Sequence, residues 1–247
     1  MKRLFLSSAL GLFCGAVIAG PQINVGTVYD YLDGSKSTYL KRVFNSGDST
    51  AFVKVNVLEI VYDADGKSRE IPVEAAADGA SRNGLMASPA RLIIPAKGMQ
   101  GTRLLYMGER DRERYFRVRF VPVVPEKEDN FVVSSEERED YKKALSAGVN
   151  VMTGFGIVFF VRPKDSRYDT VINETPKRYE LRNDGNTVLI VDEFKSCSLA
   201  RESDCGATTK HHVMAGRTFA FDKEAGREYR FKLIEGDSKK DLKVAGG

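Results

Sequence analysis

Apolar and polar residues alternate along most of the chain, which is the pattern of half-buried β-strands. Val53, Val55 and Val57, for example, alternate with Lys54 and Asn56. Similar short runs follow at residues 92–94, 103–106 and 115–124. Turn-forming residues separate the runs, and no long stretch has the helical period. Short strands divided by turns every 8–12 residues or so predict an all-β sandwich.

One segment departs from the strand pattern. Residues 126–143 carry eleven charged side chains in eighteen positions, which is typical of a solvated loop. Ser134 and Glu137 have the spacing of a capping box, so we expect one helical turn to begin there.

Residues 149–161 form the longest strand candidate. The segment Arg162-Pro163-Lys164-Asp165 ends it, and a proline cannot continue a ladder, so we place a domain boundary after residue 162. Further strand candidates follow at residues 178–181, 187–194, 218–221, 228–234 and 241–244. The sequence therefore predicts two β-sandwich domains, residues 20–162 and 163–247. Their short linker favours a fixed angle with a cleft between them.

Residues 1–19 have the pattern of a cleaved secretory signal peptide. A basic start at Lys2 and Arg3 precedes an apolar run over residues 4–18, and a small-residue cleavage pattern ends at Ala19. Cys14 leaves a lipoprotein as an alternative. No other apolar run is long enough to span a bilayer, so we expect the mature protein to be soluble and exported.

Charge and motifs argue against several function classes. Without the signal peptide, 36 basic residues face 34 acidic ones, which is too small an excess to indicate nucleic-acid binding. No G-x-S-x-G is present. The segment Gly154-Phe155-Gly156 lacks the third glycine and the helix of a dinucleotide site, so these glycines indicate a bend or a close backbone approach. We expect no enzyme activity, catalytic residue or cofactor.

The two remaining cysteines, Cys197 and Cys205, lie eight residues apart. In an oxidising compartment this pair predicts a disulfide that closes a short loop. The alternative is a metal site that would add His211 and His212, the only histidines in the chain. Adjacent histidines point in opposite directions on a strand and match no familiar zinc spacing, so we expect no metal.

The strand candidate at residues 149–161 has an unusual face. Val149, Val151, Thr153, Phe155, Ile157 and Phe159 fall on one side of it. A long strand that follows a charged loop can extend past its own sheet and offer unpaired backbone groups with alternating apolar side chains. The alternative is an ordinary strand that is buried on both faces.

The chain resembles the periplasmic chaperones of the chaperone–usher pathway, and most closely the alternate branch that serves colonisation-factor-type fimbriae. The matching segments are STYLKRVFNSGDSTAFVKVNVLEI (37–60), MASPARLIIPAKGMQGTRLLYM (86–107), YFRVRFVPVVPE (115–126), VNVMTGFGIVFFVRP (149–163) and NDGNTVLIVDEFKSC (183–197), with Cys205. The resemblance implies two immunoglobulin-like domains in an L-shaped or boomerang arrangement. It also implies that the last strand of the first domain completes a pilin that lacks one strand.

By position in the matching motif, the donor residues are Val149, Val151, Thr153 and Phe155. The expected partners are fimbrial subunits and an outer-membrane usher, with weak self-association through the donor strand or the N-terminal strand. The alternative function is a secreted β-sandwich that is itself a structural or adhesive fimbrial subunit.

The family also binds the C-terminal carboxylate of the subunit with basic residues. The first strand and the last strand of the first domain, residues 23–33 and 149–161, contain no Lys or Arg. The resemblance therefore points to Arg42, whose planar guanidinium suits a carboxylate. Arg42 shares a strand face with Leu40 and Phe44, and an ion pair with a nearby acid is the alternative. Arg117, Arg119 and Arg162 are candidates for a second anchor.

Overall fold

The computed structural model describes residues 20–63, 65–73, 84–146, 151–201 and 203–247, so the expected signal peptide lies outside the described residues. The strands are β1 (Ile23–Asn24), β2 (Tyr29–Leu32), β3 (Thr38–Asn45), β4 (Ala51–Tyr62), β5 (Ser68–Pro72), β6 (Gly84–Ser88), β7 (Arg91–Ile94), β8 (Met99–Met107), β9 (Arg114–Val123), β10 (Phe155–Val161), β11 (Thr170–Glu174), β12 (Arg178–Asn183), β13 (Leu189–Ser198), β14 (Thr209–Val213), β15 (Thr218–Asp222), β16 (Arg227–Glu235) and β17 (Ser238–Ala245). The expected all-β class is confirmed.

Strands β1 to β10 form two sheets that face each other. Sheet A has the order β1-β3-β8-β6, and sheet B has the order β2-β10-β9-β4-β5 with β7 paired to β4. The alternating apolar residues of both sheets point inward, where Phe116, Phe120 and Phe159 are completely buried. The period-two pattern of the sequence is thus the two-faced pattern of a sandwich.

Strands β11 to β17 form a second pair of sheets, in the orders β11-β12-β15 and β14-β13-β16-β17. They enclose a separate apolar core that includes Leu181, Leu189 and Phe231. Cys197 on β13 forms a disulfide with Cys205, as the sequence predicts. The expectation of two sandwiches is therefore confirmed.

The charged segment between β9 and β10 is more ordered than the sequence predicts. A 3₁₀ turn at Lys127–Asp129 is followed by a twelve-residue helix, α1 (Ser135–Ser146). The expected capping box is present, because the Glu137 amide donates to Ser134 Oγ and the Ser134 amide donates to Glu137 Oε2. The expectation of a loop with one helical turn is thus wrong. Among the helices of the described residues, none is long and apolar enough to cross a membrane.

Two aromatic rings attach this segment to sheet B. Phe131 and Tyr141 both make edge-to-face contacts with Phe52, with ring centroids 5.3 and 4.9 Å away. Tyr141 Oη also donates to the Thr50 carbonyl at 2.8 Å. These long-range contacts explain the extra helix, because tertiary packing of a few side chains supplies most of the stability of a short helix.

Specific polar contacts join the two sandwiches. The buried carboxylate of Glu113 accepts hydrogen bonds from Thr187 Oγ1 at 2.7 Å and from the Val188 amide at 3.0 Å. At the linker, the Lys164 amide donates to the Arg110 carbonyl at 2.9 Å. These contacts favour a defined angle between the sandwiches, since a buried acceptor that loses its donors is costly.

Candidate functional site

The edge of sheet B near β10 is only partly covered. Strand β9 pairs with β10 along one side, from Phe155 to Val161. Strand β2 pairs with the other side, in parallel, but only from Val158 to Val161. The backbone of β10 before Val158 therefore borders no strand on that side, among the residues that the structure describes.

The direction of the unpaired backbone groups follows from alternation along the strand. The amides of Val158 and Arg162 donate to the β2-side carbonyls of Val28 and Leu32. Residues two apart point their backbone groups to the same side of a strand. Gly156 therefore directs its N–H and C=O groups toward the open edge.

The side chains on the inward face of β10 show a gradient of burial. Ile157, Phe159 and Val161 are fully buried in the core of the first sandwich, and Phe155 is partly buried against it. Thr153 is exposed, and Val151 is 78% exposed. The side chains at every second position thus pass from the core of this chain, at Ile157 and Phe159, to solvent, at Thr153 and Val151.

The strand is shorter than the predicted range of residues 149–161. β10 begins at Phe155, residues 151–154 are not in a strand, and residues 147–150, with the predicted donor residue Val149, lie outside the described residues. Phe155 pairs with Phe120. Residues two apart point their backbone groups to the same neighbouring strand, so Thr153 is the next residue that would bond to β9. The register places Pro122 opposite it. Proline has no N–H to donate, so the ladder to β9 ends where it does.

The glycines in this segment permit the close backbone approach that the sequence indicates. A Cβ atom on Gly154 would lie 3.1 Å from the Phe120 carbonyl oxygen. A Cβ atom on Gly156 would lie 3.2 Å from Cδ of Arg117. Both distances are tighter than ordinary van der Waals contact, so a side chain at either position would push β10 or the arginine away.

Arg42 lies on the outer face of sheet A. Leu40 and Phe44 flank it on β3 and are 49% and 47% exposed. Within the described ranges, Arg42 has no ion pair or hydrogen bond, so the alternative of an ion pair with a nearby acid has no support there. Strand β1 pairs with β3 only at Phe44 and Asn45. The chain then crosses to β2, which pairs with β10, so the β1 edge of sheet A and the open edge of β10 are on the same side of the sandwich.

The other candidate arginines have partners in the chain. Arg117 and Arg119 both bind the Glu70 carboxylate across the outer face of sheet B. Arg162 is buried, pairs with Asp33 at 2.8 Å and lies over the ring of Tyr31. Their availability to a second carboxylate is therefore lower than that of Arg42.

The interface between the sandwiches contains a histidine for which the sequence suggests no such role. His212 on β14 stacks on Phe160 with 5.0 Å between ring centroids, and its Nε2 lies 2.6 Å from Tyr31 Oη. Burial, and secondarily the charge of Lys210, lower the pKa of His212 to about 4. Both thiols are in the disulfide, so the alternative of a cysteine–histidine metal site is wrong.

Comparisons with known proteins agree with this architecture, although no family model matches the chain. A probable fimbrial chaperone of Klebsiella pneumoniae, EcpB, is 23% identical over 241 residues, which cover 96% of this chain and 97% of EcpB. Most of both chains is therefore aligned.

The chain is a homologue of the fimbrial chaperones.

Two crystal structures of fimbrial chaperones share the fold. The class 5 fimbriae chaperone CfaA is 17% identical, with a TM-score of 0.54, over 91% of this chain and 100% of CfaA. An Acinetobacter baumannii structure of the CsuC–CsuE chaperone–tip adhesion subunit complex contains a chain that is 12% identical, with a TM-score of 0.52, over 92% of this chain and 99% of its own. The homology favours a chaperone over the alternative of a structural or adhesive subunit.

The stability of this chaperone homologue is expected to depend on pH through His212. The pKa of His212 is about 4 in the folded chain and ordinarily 6.5, so the unfolded chain binds more protons between these values. The free energy of unfolding should rise from pH 4 to pH 6.5 by on the order of 1–2 kcal/mol, allowing for partial exposure of the ring. Urea unfolding at several pH values measures this.

A matched pair of variants isolates the histidine. Burial raises the pKa of Glu113, so this carboxyl makes the free energy of unfolding fall as the pH rises above its ordinary pKa. The parent must therefore be compared with a variant. His212→Gln should lose the rise between pH 4 and 6.5, whereas His211→Gln, at the adjacent position of β14, should keep it. An unchanged slope in His212→Gln would contradict the assignment.

Proposed function

We propose that this chain is a periplasmic chaperone that folds and caps fimbrial subunits by donor-strand complementation and delivers them to an outer-membrane usher. The observation that carries the proposal is the exposure of Thr153 and Val151 just before β10, next to a strand edge that β2 leaves uncovered. An exposed edge with apolar side chains is a hazard for a protein that does not use it.

The physical exchange is simple. A sandwich that lacks one strand exposes unpaired backbone groups and an apolar groove, and both favour aggregation. The chaperone segment would supply the missing ladder through its backbone and the missing apolar face through Val149, Val151, Thr153 and Phe155. Each well-buried aliphatic side chain contributes about 1.5–3 kcal/mol. Thr153 is smaller and polar, so its pocket in the subunit is expected to be shallow.

Arg42 is the residue that we assign to the C-terminal carboxylate of the subunit. It carries a guanidinium with no partner among the described residues, and a guanidinium can bind a carboxylate through two charge-assisted hydrogen bonds. Arg117 and Arg119 share Glu70, and Arg162 binds Asp33, so these three would have to exchange partners first. They remain secondary candidates.

Substitution of Arg42 by alanine should weaken subunit binding ten- to a hundredfold, because a charge-assisted hydrogen bond contributes about 1.5–3 kcal/mol. The measurement is the yield of subunit that co-purifies with the tagged chain from periplasm. Arg69→Ala is the matched control, since Arg69 is exposed on β5 at the opposite edge of sheet B. Equal yields from both variants would remove Arg42 from the site.

This activity needs no catalytic residue, cofactor or metal, and it requires export of the chain by the N-terminal signal peptide. A chaperone should be recovered soluble from the periplasm and bind one-to-one to a different, smaller β-protein. A structural subunit would instead polymerise or remain at the cell surface. The free chain is also expected to self-associate weakly through its open edge, and a strictly monomeric sedimentation profile at high concentration would argue against that.

A further inference from the structure

A buried ion pair lies between the two sheets of the first sandwich. Lys41 on β3 and Asp30 on β2 each expose only 4% of their side chains, and Lys41 Nζ lies 2.6 Å from Asp30 Oδ2. Tyr39 Oη and Thr27 Oγ1 both donate to Asp30 Oδ1, at 2.8 and 2.7 Å. Lys41 Nζ also donates to the Thr27 carbonyl at 2.7 Å. The donor-strand activity assigns none of these residues a role.

The cluster stands at the point where the chain changes sheets. β1 pairs with β3 in sheet A and ends at Asn24, and β2 pairs with β10 in sheet B and begins at Tyr29. Gly26, between them, has a positive φ of 68°, a conformation that glycine adopts without strain. The hydrogen bond from Lys41 holds Thr27 against β3, one residue after this turn.

The position of this crossing decides how much of β10 is covered. Tyr29 pairs with Val158 in parallel, so the same register would place Thr27 opposite Gly156 and Gly26 opposite Phe155. If the chain stayed beside β10 for these residues, it would pair with the backbone groups that now form the open edge. The crossing at residues 25–28 leaves that edge free.

Stability alone does not account for a pair of this kind. Desolvation of two charges offsets most of their attraction, so exchange of a buried ion pair for apolar residues is often neutral or stabilising. What a buried pair supplies instead is one favoured arrangement, because a shifted crossing would leave Asp30 or Lys41 without its partner.

We propose that the Asp30–Lys41 pair positions the crossing from sheet A to sheet B and thereby keeps the edge of β10 open for a partner strand. Both are positioning residues, since they act through the backbone of residues 25–28. The purpose of the open edge rests on the proposed chaperone function, whereas the effect on the edge can be measured without any subunit.

The test is amide hydrogen exchange at Gly154 and Gly156 in the full chain. In the parent, both amides should exchange fast, as unpaired edge groups do. In the double variant Asp30→Leu with Lys41→Met, the pair is replaced by apolar residues, so the thermal midpoint should stay within a few degrees of the parent. Exchange at Gly156 should nevertheless slow at least tenfold, because the register of β2 lets its amide donate to the Gly26 carbonyl. Gly154 should keep the parent rate, since its partner in that register would be Asn24, which stays paired with β3.

Two further variants keep the result interpretable. Asp30→Asn with Lys41→Gln keeps polar groups at both positions and leaves neither charge unpaired, so it should slow exchange at Gly156 two- to fivefold even if the apolar double variant does not fold. Glu59→Gln with Arg114→Met removes a partly buried pair elsewhere in the first sandwich and should leave both glycines at the parent rate. A parent exchange rate at Gly156 in every folded variant of Asp30 and Lys41 would overturn the proposal.

The yield of recovered subunit distinguishes the positioning role of Asp30 and Lys41 from the proposed chaperone function on which it rests. If the double variant closes the edge, it should also recover less subunit than the parent. If Val151→Asp fails to reduce recovery, the donor-strand function fails, whatever the glycines do. If Val151→Asp loses the subunit while the double variant keeps open-edge exchange, only the positioning role fails.

Discussion

Replacement of Val151 by aspartate is expected to reduce subunit binding more than a hundredfold while the chain remains folded. Val151 is 78% exposed in the free chain, so a charge there costs the chaperone itself almost nothing. In the complex the same side chain would enter the apolar groove of the subunit, where an unpaired carboxylate is strongly unfavourable. Titration of purified variants with purified subunit, or the yield of co-purified subunit, measures the effect.

Val132 provides the matched control for this variant. It is 94% exposed and precedes α1 instead of lying on the face that continues β10. Val132→Asp should therefore leave both the thermal midpoint and the subunit affinity unchanged. Parental affinity in Val151→Asp, or an equal loss in both variants, would show that the exposed face of residues 151–155 does not enter the subunit.

Replacement of Lys41 alone by methionine is expected to lower the free energy of unfolding by about 3–5 kcal/mol. The change leaves the Asp30 carboxylate buried without its ammonium partner, and the Thr27 carbonyl also loses its donor. A loss of this size is a large part of the stability of a domain. Urea unfolding at neutral pH measures it.

The neighbouring residue is the control. Arg42 points to the opposite face of the same strand and is exposed, so Arg42→Ala should change the free energy of unfolding by less than about 0.5 kcal/mol. The two variants should thus separate stability from binding: Lys41→Met unfolds more easily, and Arg42→Ala loses subunit. A Lys41→Met variant as stable as the parent would contradict the role of the ammonium in holding the buried Asp30 carboxylate.

Much of the fold could be predicted from the sequence because the decisive signal is local. Val53, Val55 and Val57 alternate with polar neighbours, and the structure places them in β4 with Val53 and Val55 buried. Strand β9 and the strands of the second sandwich follow the same pattern. Alternation follows from the two-residue period of a strand, so it can be recognised without knowing which strands lie next to each other.

The two elements that differ depend on distant residues. Helix α1 is anchored through Phe52, more than eighty residues earlier, and composition gave no reason to expect that contact. The start of β10 depends on Pro122, which removes a donor from the neighbouring strand. A pattern within residues 149–161 contains no information about β9.

The candidate site shows the same division. The apolar face of β10 and the setting of Arg42 between Leu40 and Phe44 follow from alternation, and the structure agrees with both. The pairing of Arg117 and Arg119 with Glu70, and the burial of His212 between the sandwiches, join residues far apart in the chain. Such pairs have no local signature, because they are created when strands meet.

Pro122 has a wider consequence for the residues that precede Phe155. Neighbouring strands in a sheet share a twist because their backbones are bonded together, but Pro122, opposite Thr153, has no N–H, and residues 151–154 are not in a strand. The segment that carries Val151 is therefore not held to the twist of its own sheet and can adopt that of a foreign one. A single donor segment could in this way fit several subunits whose grooves differ in pitch.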